Sequence, residues 1–250
     1  MSLSFREKLI HQEQLVGTIV TLPAPAVAEL LSQIGFDWLF IDAEHAPLSP
    51  ADVQILLQAA KPTPCLVRIP ELNGRAVKQV LDSGAAGIIA PMVNTAVSAA
   101  QIVQWAKYPP VGTRSVGIAR AQGYGQRFQE YVANANDETA VVVQIEHIDA
   151  VHNIAAIVAV PGVDAIFLGP YDLSASLGKP GRVQDAEVTN AITHVEHICR
   201  EVNIPMGIFG MRGEGLRPFI QRGYSLLTVG IDTVLLGNAA KTELHNINSK

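Results

Sequence analysis

The chain has 250 residues, of which 48% are hydrophobic and 16% charged, with a formal net charge of −5 at pH 7. That is enough apolar chain for one large α/β core, and the acidic balance offers no basic surface for nucleic acid or an anionic membrane. No run approaches the roughly 18 apolar residues of a membrane span. The opening Met1-Ser-Leu-Ser-Phe-Arg-Glu-Lys8 carries charges where a signal peptide needs its apolar stretch, so a cytoplasmic protein is expected.

Apolar, β-branched runs predict a first strand over 16–21. It leads into Val20-Thr-Leu-Pro-Ala-Pro25, which lacks the glycine-rich turn that a doubly wound nucleotide-binding sheet places there. A second strand, 37–42, ends at Asp42 and continues through Ala43-Glu44-His45. Ser49-Pro50 then supplies an N-cap and a first-turn proline, and Val53, Leu56, Leu57 and Ala60 space one helical face. The third strand, 65–69, holds Arg68 inside the run Cys65-Leu-Val-Arg-Ile-Pro70. Asn73 and Asn94 precede the helices on either side of a fourth strand at 86–90. A connection of about thirty residues follows, Tyr108 to Glu138, rich in glycine and carrying Arg114, Arg120 and Arg127. Its length predicts a lid, a binding loop or a subunit contact, and Arg120 and Tyr124 are candidates to meet the far end of a substrate.

The fifth strand, 140–146, ends Gln144-Ile-Glu146, and the sixth, 164–168, runs into Gly169-Pro-Tyr-Asp172. A helix spaced by Val188, Ile192, Val195, Cys199 and Val202 precedes strands at 205–209 and 225–229. Eight strands alternating with helices predict a (β/α)₈ barrel, one domain over residues 1–250, with its chemistry at the carboxyl ends of the strands. Cys65 and Cys199 fall in apolar patterns and are expected as packed thiols of a reducing compartment.

Read as strand ends of one barrel, Asp42, Glu44, His45, Arg68, Gln144, Glu146 and Asp172 converge on one face. A guanidinium in an apolar run needs a carboxylate partner from protein or substrate. Acids ending consecutive strands, Glu146 and Asp172, suit one hard divalent cation, Mg²⁺ or Mn²⁺ with Co²⁺ as a further choice, whose other positions go to water and substrate. His147 should point away, because strand neighbours alternate and Glu146 points in. No lysine falls at a strand end, which argues against an imine-forming mechanism and for a metal-stabilised enolate.

Phe36-Asp-Trp-Leu-Phe-Ile-Asp-Ala-Glu-His-Ala-Pro47, Pro91-Met-Val-Asn94, Tyr108-Pro-Pro-Val-Gly-Thr-Arg-Ser-Val-Gly117, Gln144-Ile-Glu146, Gly169-Pro-Tyr-Asp-Leu-Ser174 and Val229-Gly-Ile-Asp232 together resemble the class II 2-keto-3-deoxy acid (pyruvate) aldolases. That group includes 2,4-dihydroxyhept-2-ene-1,7-dioate and 2-keto-3-deoxy-L-rhamnonate aldolases. The resemblance implies a barrel of the phosphoenolpyruvate/pyruvate superfamily type, assembled as a homohexamer or trimer with the last helix exchanged between neighbours. It also implies reversible cleavage of a 4-hydroxy-2-oxo acid to pyruvate and an aldehyde. Glu146 and Asp172 then match the metal-binding acids, Gln144 a substrate contact and Arg68 the enolate-stabilising arginine. His45 matches the general base, Asp42 stands beside it among the catalytic residues, and Asp82 matches the acid that raises its basicity, in its own or a neighbouring subunit. The backbone of Gly169, Pro170 and Tyr171 is expected to hold the pyruvate carboxylate, although Tyr171 replaces a small residue common in that group. The nearest rival on the same fold is a malyl-, citramalyl- or citryl-type lyase of CoA thioesters, which needs a basic nucleotide surface. A phosphonopyruvate-mutase-like activity lacks a placed cysteine, and a silent scaffold is disfavoured by His45, Arg68, Glu146 and Asp172 occurring together.

Overall fold

In the computed structural model, residues 3–248 are described. Eight parallel strands close into a barrel in sequence order: β1 Leu15–Val20, β2 Trp38–Asp42, β3 Cys65–Arg68, β4 Gly87–Ala90, β5 Ala140–Ile145, β6 Ala165–Leu168, β7 Met206–Gly210 and β8 Leu226–Ile231. Each overlaps its predicted run and differs by one or two residues at most ends. The strands read as nearly unbroken apolar segments because both faces are covered, one by helices and one by the barrel interior.

The helices are α1 Phe5–Ile10, α2 Pro25–Ile34, α3 Pro50–Ala59, α4 Gly74–Asp82, α5 Ala96–Ala106, α6 Phe128–Glu138, α7 Ile148–His152, α8 Ile154–Val158, α9 Pro170–Ser176, α10 Ala186–Glu201, α11 Gly213–Gln221 and α12 Asp232–Asn248. Ser49 caps α3 by accepting from the Asp52 N–H, with Pro50 in the first turn, and Asn73 caps α4 through the Ala76 N–H. The cap of α5 is Thr95 rather than Asn94, since its hydroxyl accepts from the Ser98 N–H. Both cysteines are free and buried, and burial pushes their thiols up to about 12.

Two apolar layers follow from the two-residue alternation of a strand. Leu39, Ile41, Val67, Val141, Val143 and Ile166 face outward into the core shared with the helices. Trp38, Phe40, Leu66, Ile89, Val142 and Phe167 fill the barrel interior, and α1 closes its amino-terminal end with Phe5 and Leu9. The Phe5 and Trp38 ring centroids lie 6.1 Å apart. Gly17 makes room for the Trp38 indole, because a Cβ there would sit 2.7 Å from a ring carbon.

The inward set does not stop where the apolar residues stop. Continuing it by two residues turns Trp38, Phe40 into Asp42, Leu66 into Arg68, and Val142 into Gln144 and then Glu146. The same alternation that fills the core therefore delivers four polar groups to the carboxyl end.

Candidate active site

A cavity of about 520 Å³ opens at that end, floored by Phe40 and Phe167 and reached by Asp42, His45, Arg68, Gln144 and the turn Gly169–Asp172. Arg68 organises its polar half. Its Nε donates to Asp42 Oδ1 at 3.0 Å and its Nη2 to Asp42 Oδ2 at 2.6 Å, while Nη1 lies 3.2 Å from Glu44 Oε2. The Arg68 side chain lines the cavity. Burial pushes the Asp42 carboxyl up, but the Arg68 hydrogen bonds and charge more than reverse this and leave it below the usual carboxylate range. Burial acts on Glu44 as well, and there it wins, so that carboxyl is raised.

Asp42 also fixes the loop beyond β2, its Oδ1 accepting from the backbone N–H groups of Glu44 at 3.1 Å and His45 at 3.2 Å. That places His45 at the rim, with a side chain 63% exposed and Nε2 3.7 Å from Glu44 Oε2. The imidazole thus stands at the solvent edge, and the arginine is buried.

Glu146 is buried, and each of its oxygens has a donor. Oε1 accepts from the Met92 N–H at 2.6 Å and Oε2 from Gln144 Nε2. The Met92 donor is aimed by a left-handed backbone, φ 51°, which a residue with a side chain adopts only under local compulsion. Burial pushes the Glu146 carboxyl up to about 7, and the nearby charges of Glu44 and Asp172 add to the rise. Gly169 is the cradle for this acid, since a Cβ there would meet Glu146 Cβ at 2.8 Å and Oε2 at 2.9 Å.

The turn after β6 differs from expectation in one respect. The Gly169 N–H donates to the Ile145 carbonyl at 3.1 Å, within the strand ladder, and Pro170 has no N–H. The donors left for a substrate carboxylate are those of Tyr171 and Asp172, in the first turn of α9, where backbone N–H groups have no intrahelical acceptor. Tyr171 and Asp172 are both exposed at the mouth.

Asp82 does not join His45 within the chain. It ends α4, and its carboxylate accepts from Arg114 Nη2 at 2.7 Å. Arg120 likewise leaves the mouth, donating to the carbonyls of Ser83 and Leu57, and neither it nor Tyr124 lines the cavity. Both carbonyls belong to helix ends that return to the amino-terminal side of the barrel, so the long connection packs there and not over the site. His147 turns away as expected, its Nδ1 accepting from the Asp149 N–H at 3.1 Å.

Glu44 stands at the site as the sequence expects, whereas Met92 and Asp232 are residues to which sequence patterns give no role there. Asp232 Oδ2 accepts from the N–H groups of Thr21 at 2.8 Å and Leu22 at 2.9 Å, and Oδ1 accepts from the Thr21 hydroxyl at 2.6 Å. It thereby ties the end of β8 to the end of β1.

Among the described residues no cluster of three or more His, Cys, Asp or Glu gathers as a complete metal cage. Two acids with oxygen donors nevertheless suit a hard cation that keeps water and substrate in its remaining positions. Two buried oxygens nearby, Glu44 Oε2 and Gln144 Oε1, accept no hydrogen bond. Glu44 Oε2 is nevertheless ion-paired with Arg68, which leaves the Gln144 amide oxygen, in an acid-rich site, as the buried donor that a divalent cation would satisfy. No lysine lines the cavity among the described residues.

At the carboxyl end of the closed (β/α)₈ barrel stand acids, an arginine and a histidine, with no lysine lining the cavity among the described residues. Residues 16–239 match the model of the HpcH/HpaI aldolase/citrate lyase family. The chain belongs to that family and is an aldolase, a carbon–carbon lyase. A 2-keto-3-deoxy-L-rhamnonate aldolase of Klebsiella pneumoniae subsp. pneumoniae is 36% identical over 98% of this chain and 92% of its own. A hydroxypyruvate/pyruvate aldolase of Pseudomonas aeruginosa is 37% identical over 93% of this chain and 88% of its own. Among solved structures, a family protein from Burkholderia cenocepacia superposes with a TM-score of 0.94 at 35% identity, covering 98% of both chains.

Proposed function

We propose that the protein reversibly cleaves a 4-hydroxy-2-oxo acid to pyruvate and an aldehyde through a pyruvate enolate. The observation that carries this is the inward-facing set Asp42, Arg68 and Gln144, with Asp172 beside it and Glu146 accepting from Gln144, at a cavity that no lysine lines among the described residues. Glu146 and Asp172 would hold a divalent cation, Mg²⁺ or Mn²⁺, with Co²⁺ also admissible. When bound, the cation supplies Lewis-acid polarisation of the 2-oxo group and charge neutralisation at the developing enolate.

The chain's own groups divide the remaining work. The Tyr171 and Asp172 N–H groups and Gln144 orient the carboxylate end of the substrate. His45 takes the proton of the C4 hydroxyl, the C3–C4 bond breaks, and the aldehyde leaves. The electron pair stays on C3 as an enolate whose charge develops beside the Arg68 guanidinium, held there by Asp42. Return of a proton to C3 gives pyruvate. Asp42 acts on His45 through its backbone. Asp82, paired with Arg114, enters this scheme only from a neighbouring subunit, in a hexamer or trimer in which α12 packs on the next copy. Two reduced, buried cysteines accord with a cytoplasmic enzyme.

A CoA-thioester lyase is less well supported, because Arg68 is the only Lys or Arg among the cavity's described lining residues and none is left for nucleotide phosphates. The test is pyruvate release from racemic 4-hydroxy-2-oxo acids, coupled to lactate dehydrogenase, for the parent chain and Arg68→Ala. Release by the parent, and a loss of about a hundredfold or more in the variant, is the result for an arginine at the developing oxyanion. Unaltered release by the variant would remove Arg68 from the mechanism.

A further inference from the structure

The mouth of the cavity is divided by strand number. Among the described lining residues the ends of β2, β3 and β6 supply every charged group and β5 supplies Gln144, whereas β7, β8, β1 and the residues just beyond them supply Phe209, Ile231, Thr233, Thr21 and Leu22. The Asp232 hydrogen bonds to the Thr21 and Leu22 N–H groups lock the β1 end against β8, so this uncharged, largely apolar wall is a built surface and not a loose rim. Tyr171 stands between the two halves with a ring 51% exposed, close enough to line the cavity.

The electrostatics of the mouth oppose a second anion. Arg68 is the only Lys or Arg lining it among the described residues, and its guanidinium is held by Asp42 and Glu44. A carboxylate or phosphate at the far end of an aldehyde would be stripped of water against Leu22, Phe209 and Ile231 without a cation to meet it, which is costly. An apolar body gains from the same wall.

Resting on the aldolase reading above, we propose that the aldehyde partner is uncharged and carries an aliphatic or aromatic body seated on Leu22, Phe209, Ile231 and the Tyr171 ring. The pyruvate half then occupies the β2–β6 side and the aldehyde tail the β7–β8–β1 side. Each additional methylene buried on that wall is worth about 0.8 kcal/mol, or about fourfold in kcat/KM, until the wall is covered.

The experiment measures kcat/KM for aldol addition of pyruvate, with Mn²⁺ present, to butanal, hexanal, glyceraldehyde and 4-oxobutanoate. Exchange of the pyruvate methyl protons in D₂O is followed in parallel. Butanal and 4-oxobutanoate share a four-carbon chain and differ in the terminal carboxylate. The expected order is hexanal above butanal by about fifteenfold, and 4-oxobutanoate below butanal by about tenfold or more. In Leu22→Lys, which installs a cation on the wall, the ratio of 4-oxobutanoate to butanal should rise about tenfold or more while methyl exchange persists. Methyl exchange with 4-oxobutanoate or glyceraldehyde preferred over hexanal overturns this proposal alone. Absence of exchange overturns the aldolase reading and this proposal with it.

Discussion

Glu146 carries the sharpest electrostatic tension in the site. Burial raises its carboxyl to about 7, from an ordinary value of 4.5. An acid whose folded pKa exceeds its unfolded one loses stability as pH rises through the unfolded value, and the full penalty is present above the folded value. For a shift of this size the penalty is on the order of 3 kcal/mol in the cation-free protein. Glu146→Gln should therefore unfold at higher urea than the parent at pH 8 without metal, and the difference should vanish near pH 4. The parent's affinity for Mn²⁺, measured by calorimetry, should fall about tenfold per pH unit below 7, as protons compete for the carboxylate. A variant less stable than the parent at pH 8 would contradict this account of Glu146. The residues legible in sequence were those on the inward alternation, Asp42, Arg68, Gln144 and Glu146, because a period of two carries on past the apolar run. The Met92 N–H, the Gly169 ladder bond and the pairing of Glu44 with Arg68 were not legible, since backbone direction and pairing leave no mark on residue type.

At the scale of elements, the strands were readable because burial on both faces demands apolar runs of the length found. Helix starts were readable where a side chain caps, as at Ser49 and Asn73, and displaced by one residue at Asn94, where the adjoining Thr95 caps instead. The connection from Tyr108 to Glu138 was visible as an exception, but its destination was not. Lys107 and Arg114 anchor it through long-range contacts, Lys107 Nζ donating to the carbonyls of Asn136 at 2.7 Å and Thr139 at 2.6 Å, and such pairings are invisible to local pattern. Gly17 shows the opposite case, a residue whose type is dictated by one neighbour. Gly17→Ala would push a methyl into the Trp38 indole and cost about 1–3 kcal/mol. The expected observations are a lower melting temperature and a shifted Trp38 emission in a Trp105→Phe background. An unchanged melting temperature would mean that the β1–β2 contact is looser than its geometry.

For the whole molecule, α12 is the element that the barrel does not explain. From Asn238 to Asn248 every residue is exposed, including Leu244 at 63% and Ile247 at 82%. A helix stabilised by packing of an apolar face has none here within its own chain, in keeping with the exchanged last helix that the family resemblance implies. Leu244→Glu combined with Ile247→Glu should lower the sedimentation coefficient of the purified protein and leave the far-ultraviolet circular dichroism largely intact. An unchanged coefficient would exclude α12 from the subunit contact. The barrel itself presents one polar half-mouth and one apolar half-mouth, and enolate chemistry at the polar half is the claim on which the rest depends. It is tested most directly by nuclear magnetic resonance of pyruvate in D₂O, following loss of the methyl proton signal with EDTA and then with Mg²⁺, Mn²⁺ or Co²⁺ restored. Exchange that stops with the chelator and resumes with metal is the predicted result. Exchange unaffected by chelation, or none with any of the three metals, would contradict it.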